Sequence, residues 1–387
     1  MSDEFIPFYK PYIDKKEINS VVESMESGWL TTGPKVKEFQ NKFADYVGSK
    51  HALAVNSCTA GLHLLLVAAG IGEGDEVITT SMTFAATANV IVEVGAKPVL
   101  VDIDPKTFNM DIQDLERKIT DKTKAIIPVH MAGQPCEMDE IMKLAKERDI
   151  YVFEDAAHAI WTKYKGKMVG NISDGTAFSF YATKNLCTGE GGMVTTNNDE
   201  LAENIRINTL HGISRDAYDR YTNKEASWYY EIVTPGYKYN MPDINAAMGI
   251  EQLNKLEEMQ KRRKEIADIY TEAFKEVPEV KVPYVKDDIR HAWHLYIILL
   301  EVEMLKIDRN EFINKLTELN LGTSVHFIPI HFHPYYKENY GFEEGDFPNC
   351  EYVFERNISL PFYPAMTDEQ VYQVIDRVKQ VIEEVRR

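Results

Sequence analysis

The positions of apolar and polar residues divide the first half of the chain into short apolar runs that alternate with amphipathic stretches. Five runs rich in β-branched residues predict strands: HALAVNS, DEVITTS, KPVLVDID, AIIPVH and YVFEDA. The stretches between them predict helices: CTAGLHLLLVAAGI, TFAATANVIVEVG, residues 112–119 and EMDEIMKLAKERD. Such alternation indicates an α/β protein with a mostly parallel sheet that is covered by helices on both faces.

Two stretches do not follow this alternation. TAFSFY and GGMVTT lie close together with no helix between them, which predicts one antiparallel pair of strands. Ahead of the first strand, residues 14–26 and 36–46 predict two helices.

The pattern changes after PDINAA. Residues 244–275 predict one long helix with a single apolar face, and HAWHLYIILLE and TSVHFIPI predict strands. Residues 309–319 and 367–386 predict two more helices. We therefore expect a large sheet domain with an N-terminal arm over residues 1–250, and a smaller α+β domain over residues 251–387.

Composition narrows the class of protein. Of 387 residues, 44% are hydrophobic and 27% charged, which is typical of a globular chain, and the formal net charge of −18 argues against a nucleic-acid surface. The four cysteines lack metal or redox spacing and fit a reducing cytoplasm. The apolar runs are too short to span a bilayer, and the polar start does not resemble a signal peptide. We therefore expect a cytoplasmic protein.

A lysine and an aspartate stand out as candidate catalytic residues. Lys184 follows an apolar strand in SFYATKNLCTGEGG, and Asp155 ends the apolar strand of FEDAAHA. A buried lysine amine can form a Schiff base with an aldehyde, and a carboxylate can hold a proton on a pyridine nitrogen. Together they are the two protein groups that pyridoxal phosphate (PLP) chemistry requires. Asp155 could instead cap a helix.

Three further segments could complete a cofactor site. NSCTAGLHLLL places small and hydroxyl residues where a strand ends and a helix begins, so Thr59 and Ala60, with Ser179, could bind a phosphate. The same segment could be an ordinary turn. Phe84 could stack on a flat ring or belong to the core, and His158 could face the ligand or be a satisfied core histidine.

Taken together, these motifs resemble one family over residues 5–375. NSCTAGLHLLL, GDEVIT, GAKPVLVDID, EDAAHA, FSFYATKN, GEGG, TPGYKYNMPDINAA and HAWHLYII follow the order and spacing of the DegT/DnrJ/EryC1/StrS sugar aminotransferases. The resemblance implies the PLP-dependent fold type I, as in aspartate aminotransferase, with a seven-stranded sheet. EDAAHA, GYKYN and HAWHLYII resemble most the subgroup that forms UDP-4-amino-4-deoxy-L-arabinose.

The resemblance also implies roles for individual residues. Lys184 matches the family's Schiff-base lysine, Asp155 the partner of the pyridine nitrogen, and His158 the residue near the ring hydroxyl. Phe84 matches the ring-stacking position. Thr59, Ala60 and Ser179 match the phosphate positions. Lys238, in GYKYN, stands where many members have Asn, on a loop that reaches the cofactor phosphate of a second subunit, so the resemblance implies a homodimer with shared sites.

Substrate contacts come from the same resemblance. Trp29 and Thr31 in GWLTTG, His326 in TSVHF and His331 in IPIHFHPYY match segments that line the family's sugar-nucleotide pocket. The cluster of His326, His331 and His333 could alternatively bind a metal, but no acidic ligand stands among them, so we expect no metal site.

The activity that the resemblance implies is transfer of an amino group from L-glutamate to a nucleotide-linked 4-keto sugar, with PLP and its amine form PMP as cofactor. Amination at C3 of a dTDP-linked keto sugar and a non-catalytic sugar-nucleotide sensor remain open alternatives. Lys184 argues against a sugar 3-dehydratase, which has histidine there. The absence of G-x-G-x-x-G argues against a Rossmann oxidoreductase.

Overall fold

The computed structural model describes residues 4–214 and 229–387, so residues 1–3 and 215–228 of the predicted large domain lie outside it. Seven strands form the central sheet: β1 (His51–Val55), β2 (Glu76–Thr80), β3 (Lys97–Val101), β4 (Thr123–Ile127), β5 (Tyr151–Asp155), β8 (Gly175–Ser179) and β9 (Gly192–Thr196). Their order is β1-β9-β8-β5-β4-β2-β3. β9 runs antiparallel to both of its neighbours, β1 and β8, which confirms the predicted antiparallel pair, and the other neighbouring strands of this sheet are parallel.

Helices connect and cover these strands. In chain order they are α1 (Lys15–Glu26), α2 (Pro34–Val47), α3 (Cys58–Ala68), α4 (Ala85–Glu93), α5 (Ile112–Lys118), α6 (Met138–Lys146) and α7 (Asp199–Thr209). One face of the sheet packs its apolar residues against α3, and the other face packs against α6. The mostly parallel sheet with two covered faces is therefore confirmed.

The C-terminal part contains a second, three-stranded sheet. It consists of β10 (Val280–Lys281), β12 (Ile297–Leu300) and β13 (Asn357–Ser359). The remaining helices are α8 (Asp243–Asn254), α9 (Leu256–Phe274), α10 (Arg309–Glu318), α11 (Pro334–Tyr340), α12 (Pro348–Phe354) and α13 (Asp368–Val385). Three short strands form a third sheet: β6 (Lys163–Tyr164), β7 (Lys167–Met168) and β11 (Ile289–Arg290).

The prediction of one long helix over residues 244–275 is wrong. Lys255 interrupts it with φ −106° and ψ 8°, which separates α8 from α9. The Lys255 ammonium pairs with Glu17 of α1 and lies 4.5 Å from the centre of the Tyr12 ring. These contacts are tertiary, so periodicity along one helix could not reveal them.

The prediction of a strand at TSVHFIPI is also wrong. Only Ser324 pairs with a neighbouring strand, through a bridge to Ser359. His326 and Phe327 line a cavity instead, Ile328 is exposed, and Pro329 has no N–H to donate. The strand at HAWHLYIILLE is shorter than predicted, because β12 begins only at Ile297.

The N-terminal arm joins the C-terminal part to the site. Ile6 forms a parallel bridge with Leu321 and is fully buried in the C-terminal apolar core, which also contains Phe274 of α9. The arm then passes the cavity, where the Tyr9 hydroxyl donates a 3.1 Å hydrogen bond to the carbonyl oxygen of Lys184. The domain boundary at residue 250 stays a prediction, since α8 packs mainly on α1 and α2.

Candidate active site

A cavity of about 390 Å³ lies where the central strands end. Its walls include residues that directly follow β1, β2 and β4, together with the last residues of β5 and β8. Carboxyl ends of parallel strands meet at one edge of a sheet, and ligands bind there in open α/β folds. Seven predicted site residues line this cavity: Thr59, Phe84, Asp155, His158, Ser179, Lys184 and His326.

Asp155 is a buried carboxylate at the end of β5, which lies between β4 and β8. Its Oδ2 accepts a 2.7 Å hydrogen bond from the Thr87 hydroxyl, and its Oδ1 accepts a 3.0 Å bond from the Ala157 N–H. Charge-assisted bonds of this kind hold a carboxylate in one orientation. The Cys58 Sγ lies 3.9 Å from Oδ1, and burial raises the pKa of this thiol well above its usual range, so it stays protonated.

Lys184 lies on the loop after β8, the strand next to β5. Its backbone N–H donates to Tyr181 O at 2.9 Å, and its carbonyl oxygen accepts the hydrogen bond from the Tyr9 hydroxyl. Burial lowers the pKa of the Lys184 amine from 10.5 to about 8, against the opposing attraction of the Asp155 carboxylate. An amine with this pKa spends a substantial fraction of its time unprotonated, which a nucleophile or proton acceptor requires.

His158 lies in the cavity wall beside two other rings. The His294 ring stacks on it at 4.3 Å between centroids, and the Phe327 ring is 5.9 Å away. Burial, with the positive charge of Lys184 and the nearby His326, holds the pKa of His158 well below its ordinary value. His158 is therefore neutral at physiological pH.

The predicted phosphate end of the site is the beginning of α3. The Ser57 hydroxyl caps this helix by accepting a 3.0 Å bond from the Ala60 N–H. Ala60 is buried and does not line the cavity, and its N–H is already used, whereas Ser57, Cys58 and Thr59 do line it. Ser179 joins them from the end of β8. The helix N-terminus thus faces the cavity through residues that precede Ala60.

Phe84 and His326 lie in other parts of the wall. Phe84 is 63% exposed, so it is not a core residue. The centroid of its ring lies 5.9 Å from the centroid of the Phe327 ring. His326 shares a 2.8 Å hydrogen bond with the Ser359 hydroxyl and stacks on Phe8 of the N-terminal arm. Burial, followed by the charge of Lys184, lowers the pKa of His326 to about 3.

Four other predicted site residues lie outside the cavity wall. The Trp29 indole donates to Thr32 O, and the carbonyl of the exposed Thr31 accepts from Asp243 N. Lys238 is exposed and donates to Asn240 Oδ1 at 2.6 Å. His331 is fully buried and shares a 3.0 Å bond with Glu351. Their roles in binding stay predictions.

Sequence reasoning missed five residues that shape the site. These are Tyr9, Thr87, Cys58, Asn185 and His294. Asn185 and His294 lie within two motifs that carry the family resemblance, TKN and HAWH. Their membership in these motifs was the signal in the sequence that could have identified them as site residues. Tyr9 and Lys184 are 175 residues apart, and nothing local in either segment indicates their contact.

Two negative findings apply to the described ranges. In residues 4–214 and 229–387, histidine, cysteine and acidic side chains form no group of three that could hold a metal ion. In the same ranges, no helix combines the length and the apolar character needed to cross a membrane.

Known proteins are similar to this chain along nearly all of their length. The model of the DegT/DnrJ/EryC1/StrS aminotransferase family matches residues 11–379. The spore coat polysaccharide biosynthesis protein SpsC of Bacillus subtilis is 53% identical over 381 residues, which are 98% of each chain. An uncharacterized protein of Methanocaldococcus jannaschii is 57% identical over 384 residues, 99% of each chain.

A solved structure gives the same picture. The Streptococcus pneumoniae protein Spr1654, assigned as a sugar aminotransferase, superposes in its PMP-form with a TM-score of 0.91 at 38% identity. The match covers 98% of this chain and 99% of that one. Its PLP-form superposes with a TM-score of 0.90.

The fold and the lysine–carboxylate site thus define an enzyme with the architecture of the PLP-dependent aminotransferases. The chain belongs to the DegT/DnrJ/EryC1/StrS aminotransferase family.

Proposed function

We propose that this protein uses PLP to move an amino group from L-glutamate to a UDP-linked 4-keto sugar. The observation that carries the proposal is that Lys184 and Asp155 line one cavity at the ends of neighbouring strands. The enzyme would act in the cytoplasm. Its product, a 4-amino sugar nucleotide, would be used for surface polysaccharide synthesis or lipid A modification. The polysaccharide role printed for SpsC supports this fate.

The residues present fit PLP. The Lys184 amine has the lowered pKa that bonding to an aldehyde requires, Asp155 offers a fixed carboxylate, and the start of α3 suits a phosphate. When bound, PLP supplies the aldehyde that Lys184 holds and an aromatic ring that withdraws electrons from the substrate.

Each residue then has a defined task. The Lys184 Nζ removes a proton from the amino-acid Cα and returns one in the second half-reaction. Asp155, oriented by Thr87, keeps a proton on the ring nitrogen. Ser57, Thr59 and Ser179 line the part of the wall that would hold the phosphate, and the exposed Phe84 would cover the ring. His326 and Phe8 stack on each other in the same cavity wall, where they would contact the sugar.

Substitution tests the two catalytic roles. Lys184→Ala should lower turnover by about 10²–10⁴-fold or more, because both half-reactions need the amine. Asp155→Asn should lower it by about 10²-fold. Matched controls are Lys165→Ala, which removes a surface ion pair to Asp139, and Asp174→Asn, which changes a carboxylate bonded to Val152 N. Near-native turnover in folded Lys184→Ala would refute the proposal.

A spectroscopic titration tests the substrates. The visible absorbance of the lysine-bound cofactor should bleach on addition of L-glutamate and return with one member of a panel of UDP- and dTDP-linked keto sugars. Return with a dTDP-linked 3-keto sugar would replace the C4 assignment by C3 amination. A protein that stays colourless with added PLP would instead support the sensor alternative.

We also propose a homodimer in which Lys238 reaches the cofactor phosphate of the other subunit. Its exposure supports this, because its own cavity wall does not include it. Inactive Lys184→Ala and Lys238→Ala chains can be unfolded, mixed and refolded. Each mixed dimer would have one site with both lysines intact, so activity should return toward about a quarter of the wild-type level if chains assort randomly. No recovery, with mixed dimers verified by mass, would refute shared sites.

A further inference from the structure

His294 lies directly behind His158 in the cavity wall. Their rings are stacked at 4.3 Å between centroids and 29° between planes, and both side chains are buried. His294 belongs to the segment that leads from the C-terminal sheet to the site, whereas His158 follows β5. The stack therefore joins the two parts of the chain at the cavity.

Hydrogen bonds determine which nitrogen carries the proton in each ring. The Asn185 amide nitrogen donates to Ala292 O at 2.8 Å, so its Oδ1 faces His294 Nδ1 at 2.9 Å and must accept. The proton of His294 is then on Nδ1. In His158, Nδ1 accepts a 3.3 Å bond from the Ala132 N–H, so its proton is on Nε2. Within the described residues, no group accepts a bond from that Nε2–H.

The backbone around the stack is tightly fixed. His294 N donates to Ala132 O at 2.9 Å, and Ala292 N donates to Gly133 O at 3.0 Å. A Cβ atom added at Gly133 would lie 2.9 Å from Ala292 Cβ and 3.0 Å from His158 O. The fully buried Arg263 donates to the carbonyls of Trp293 and His294 from α9.

The ionisable groups around His158 are Lys184, His294 and His326, with Asp155 in the same wall. Protonation at Nδ1 would place two donors against each other at Ala132, so the ring would have to turn. The His294 ring covers one face of His158 and blocks this rotation. Burial, with His158 and Lys184 nearby, also holds the pKa of His294 well below its ordinary value.

We propose that Asn185 and His294 are positioning residues that hold the neutral His158 imidazole in the tautomer and plane whose Nε2–H is available to an acceptor in the cavity. Asn185 fixes the tautomer and plane of His294, and His294 fixes the plane of His158. The role toward the cofactor rests on the proposed function, whereas the tautomer of His158 belongs to the protein alone.

The test follows His158 directly in the cofactor-free full-length protein. Nitrogen-15 histidine spectra between about pH 5.5 and pH 8.5 should show the Nε2–H tautomer throughout in the wild type. In His294→Leu, and in Asn185→Ala should the first variant fold poorly, His158 should stay neutral, because its burial and the Lys184 charge remain. Its ring can then turn away from the Ala132 N–H, so the spectra should show a mixture of the Nδ1–H and Nε2–H tautomers.

Matched controls separate positioning from general damage. His291→Leu removes a buried histidine of the same segment, whose Nδ1 accepts from Trp293 N and whose ring stacks beside Trp293, not His158. Asn245→Ala removes an amide that holds Thr188 and Glu190 of the Lys184 loop. Neither control should alter the tautomer of His158.

A cofactor measurement completes the test. PLP affinity of His294→Leu should fall about tenfold, the worth of one oriented hydrogen bond, and by a similar factor at about pH 5.5 and pH 8.5, because His158 stays neutral. In a His158→Gln background, His294→Leu should leave PLP affinity unchanged, because the imidazole whose plane His294 fixes is absent.

The outcomes are distinguishable. A His158 that carries its proton on Nδ1 in the wild type, or that keeps the Nε2–H tautomer in both His294→Leu and Asn185→Ala, overturns the inference. The expected tautomers in a protein that never binds PLP would refute the proposed function and leave this inference standing.

Discussion

The Thr87 hydroxyl lies 2.7 Å from Asp155 Oδ2 and donates to it, and the Thr83 hydroxyl lies 2.8 Å from Thr87. Since Thr87 has only one proton to donate, Thr83 must donate to Thr87. The two threonines thus form a chain of donors that ends on the carboxylate. Both follow β2, so the first turn of α4 orients the charge at the end of β5.

Thr87→Val keeps the shape of this side chain and removes the donor. We expect it to lower the free energy of unfolding by about 1–3 kcal/mol and turnover by about tenfold or more, because a buried charge loses one partner. Denaturant titration and steady-state rates measure these effects. Thr87→Ser should retain both properties.

Thr79→Val is the matched control for position 87. In the wild type, the Thr79 hydroxyl donates a 2.9 Å hydrogen bond to Ile127 O inside the same sheet. This variant should lose about 0.5–1.5 kcal/mol of stability with turnover unchanged. Equal losses of turnover at positions 79 and 87 would contradict the role given to Thr87.

Lys184 should make the stability of the cofactor-free protein depend on pH. Folding lowers the pKa of its amine from 10.5 to about 8, so the unfolded chain binds the extra proton between these values. Stability is therefore reduced below about pH 8 and recovers as pH rises toward about 10.5. The wild type should gain stability relative to Lys184→Met over this window.

Denaturant titrations of both proteins at about pH 7.5 and pH 9.5 check this sign. Taking the difference between them removes the contribution of other groups that titrate in both. A stability difference between wild type and Lys184→Met that stays constant over this range would show that the folded-state pKa of Lys184 is not lowered.

The buried pair of Lys255 and Glu17 should be necessary for stability. The Glu17 carboxylate also accepts from Gln252 Nε2 at 2.7 Å, and Gln252 Oε1 accepts from Cys187 N on the loop that carries Lys184. Glu17→Gln should cost about 3–5 kcal/mol, because Lys255 would be left without its buried partner.

The double variant Glu17→Gln/Lys255→Met removes both charges and should be more stable than Glu17→Gln alone. Chemical denaturation measures all three proteins. A Glu17→Gln variant as stable as the wild type would mean that Asp14, 3.3 Å from Lys255, suffices as its partner.

Gly133→Ala tests the close approach of the two parts of the chain beside His158. Gly133 has φ +100°, and an added Cβ would meet Ala292 and the backbone of His158 and Trp293. Gly166→Ala is the matched control, with φ +84° and open space around the added atom. We expect a loss of about 1 kcal/mol at position 166 and clearly more at position 133.

Thermal unfolding and PLP affinity measure this comparison. Only the substitution at Gly133 should weaken PLP binding, because it displaces the segment that carries His294. Equal effects of the two substitutions on stability and binding would show that backbone conformation alone matters at Gly133.

The central sheet was predictable because each strand–helix unit has its own local pattern. The runs that end at Val55, Thr80 and Asp155 contain apolar and β-branched residues, and each run is buried at its carboxyl end. Lys184 and Asp155 were predictable for a related reason. Each directly follows or ends a strand, so placing the strands placed the residues at one edge of the sheet.

Predictions failed where distant segments decide local conformation. Lys255 breaks a helix whose periodicity continues across it, because its charge pairs with Glu17, 238 positions earlier in the chain. TSVHFIPI has the alternation of a strand, yet its rings turn into the cavity and pack on Phe8 and His158. Such competition between pairing and packing cannot be read from either segment alone.

The sequence by itself therefore determined the sheet, the family and the position of Lys184 and Asp155 at one edge of the sheet, since these depend on local periodicity and on motifs of contiguous residues. Only the tertiary structure decided what surrounds them: Thr87 on Asp155, Tyr9 on Lys184, and His294 with Asn185 behind His158. Burial and hydrogen bonds from remote segments set the pKa of Lys184 and the tautomer of His158. Those quantities depend on distances in space, and the order of residues does not specify such distances.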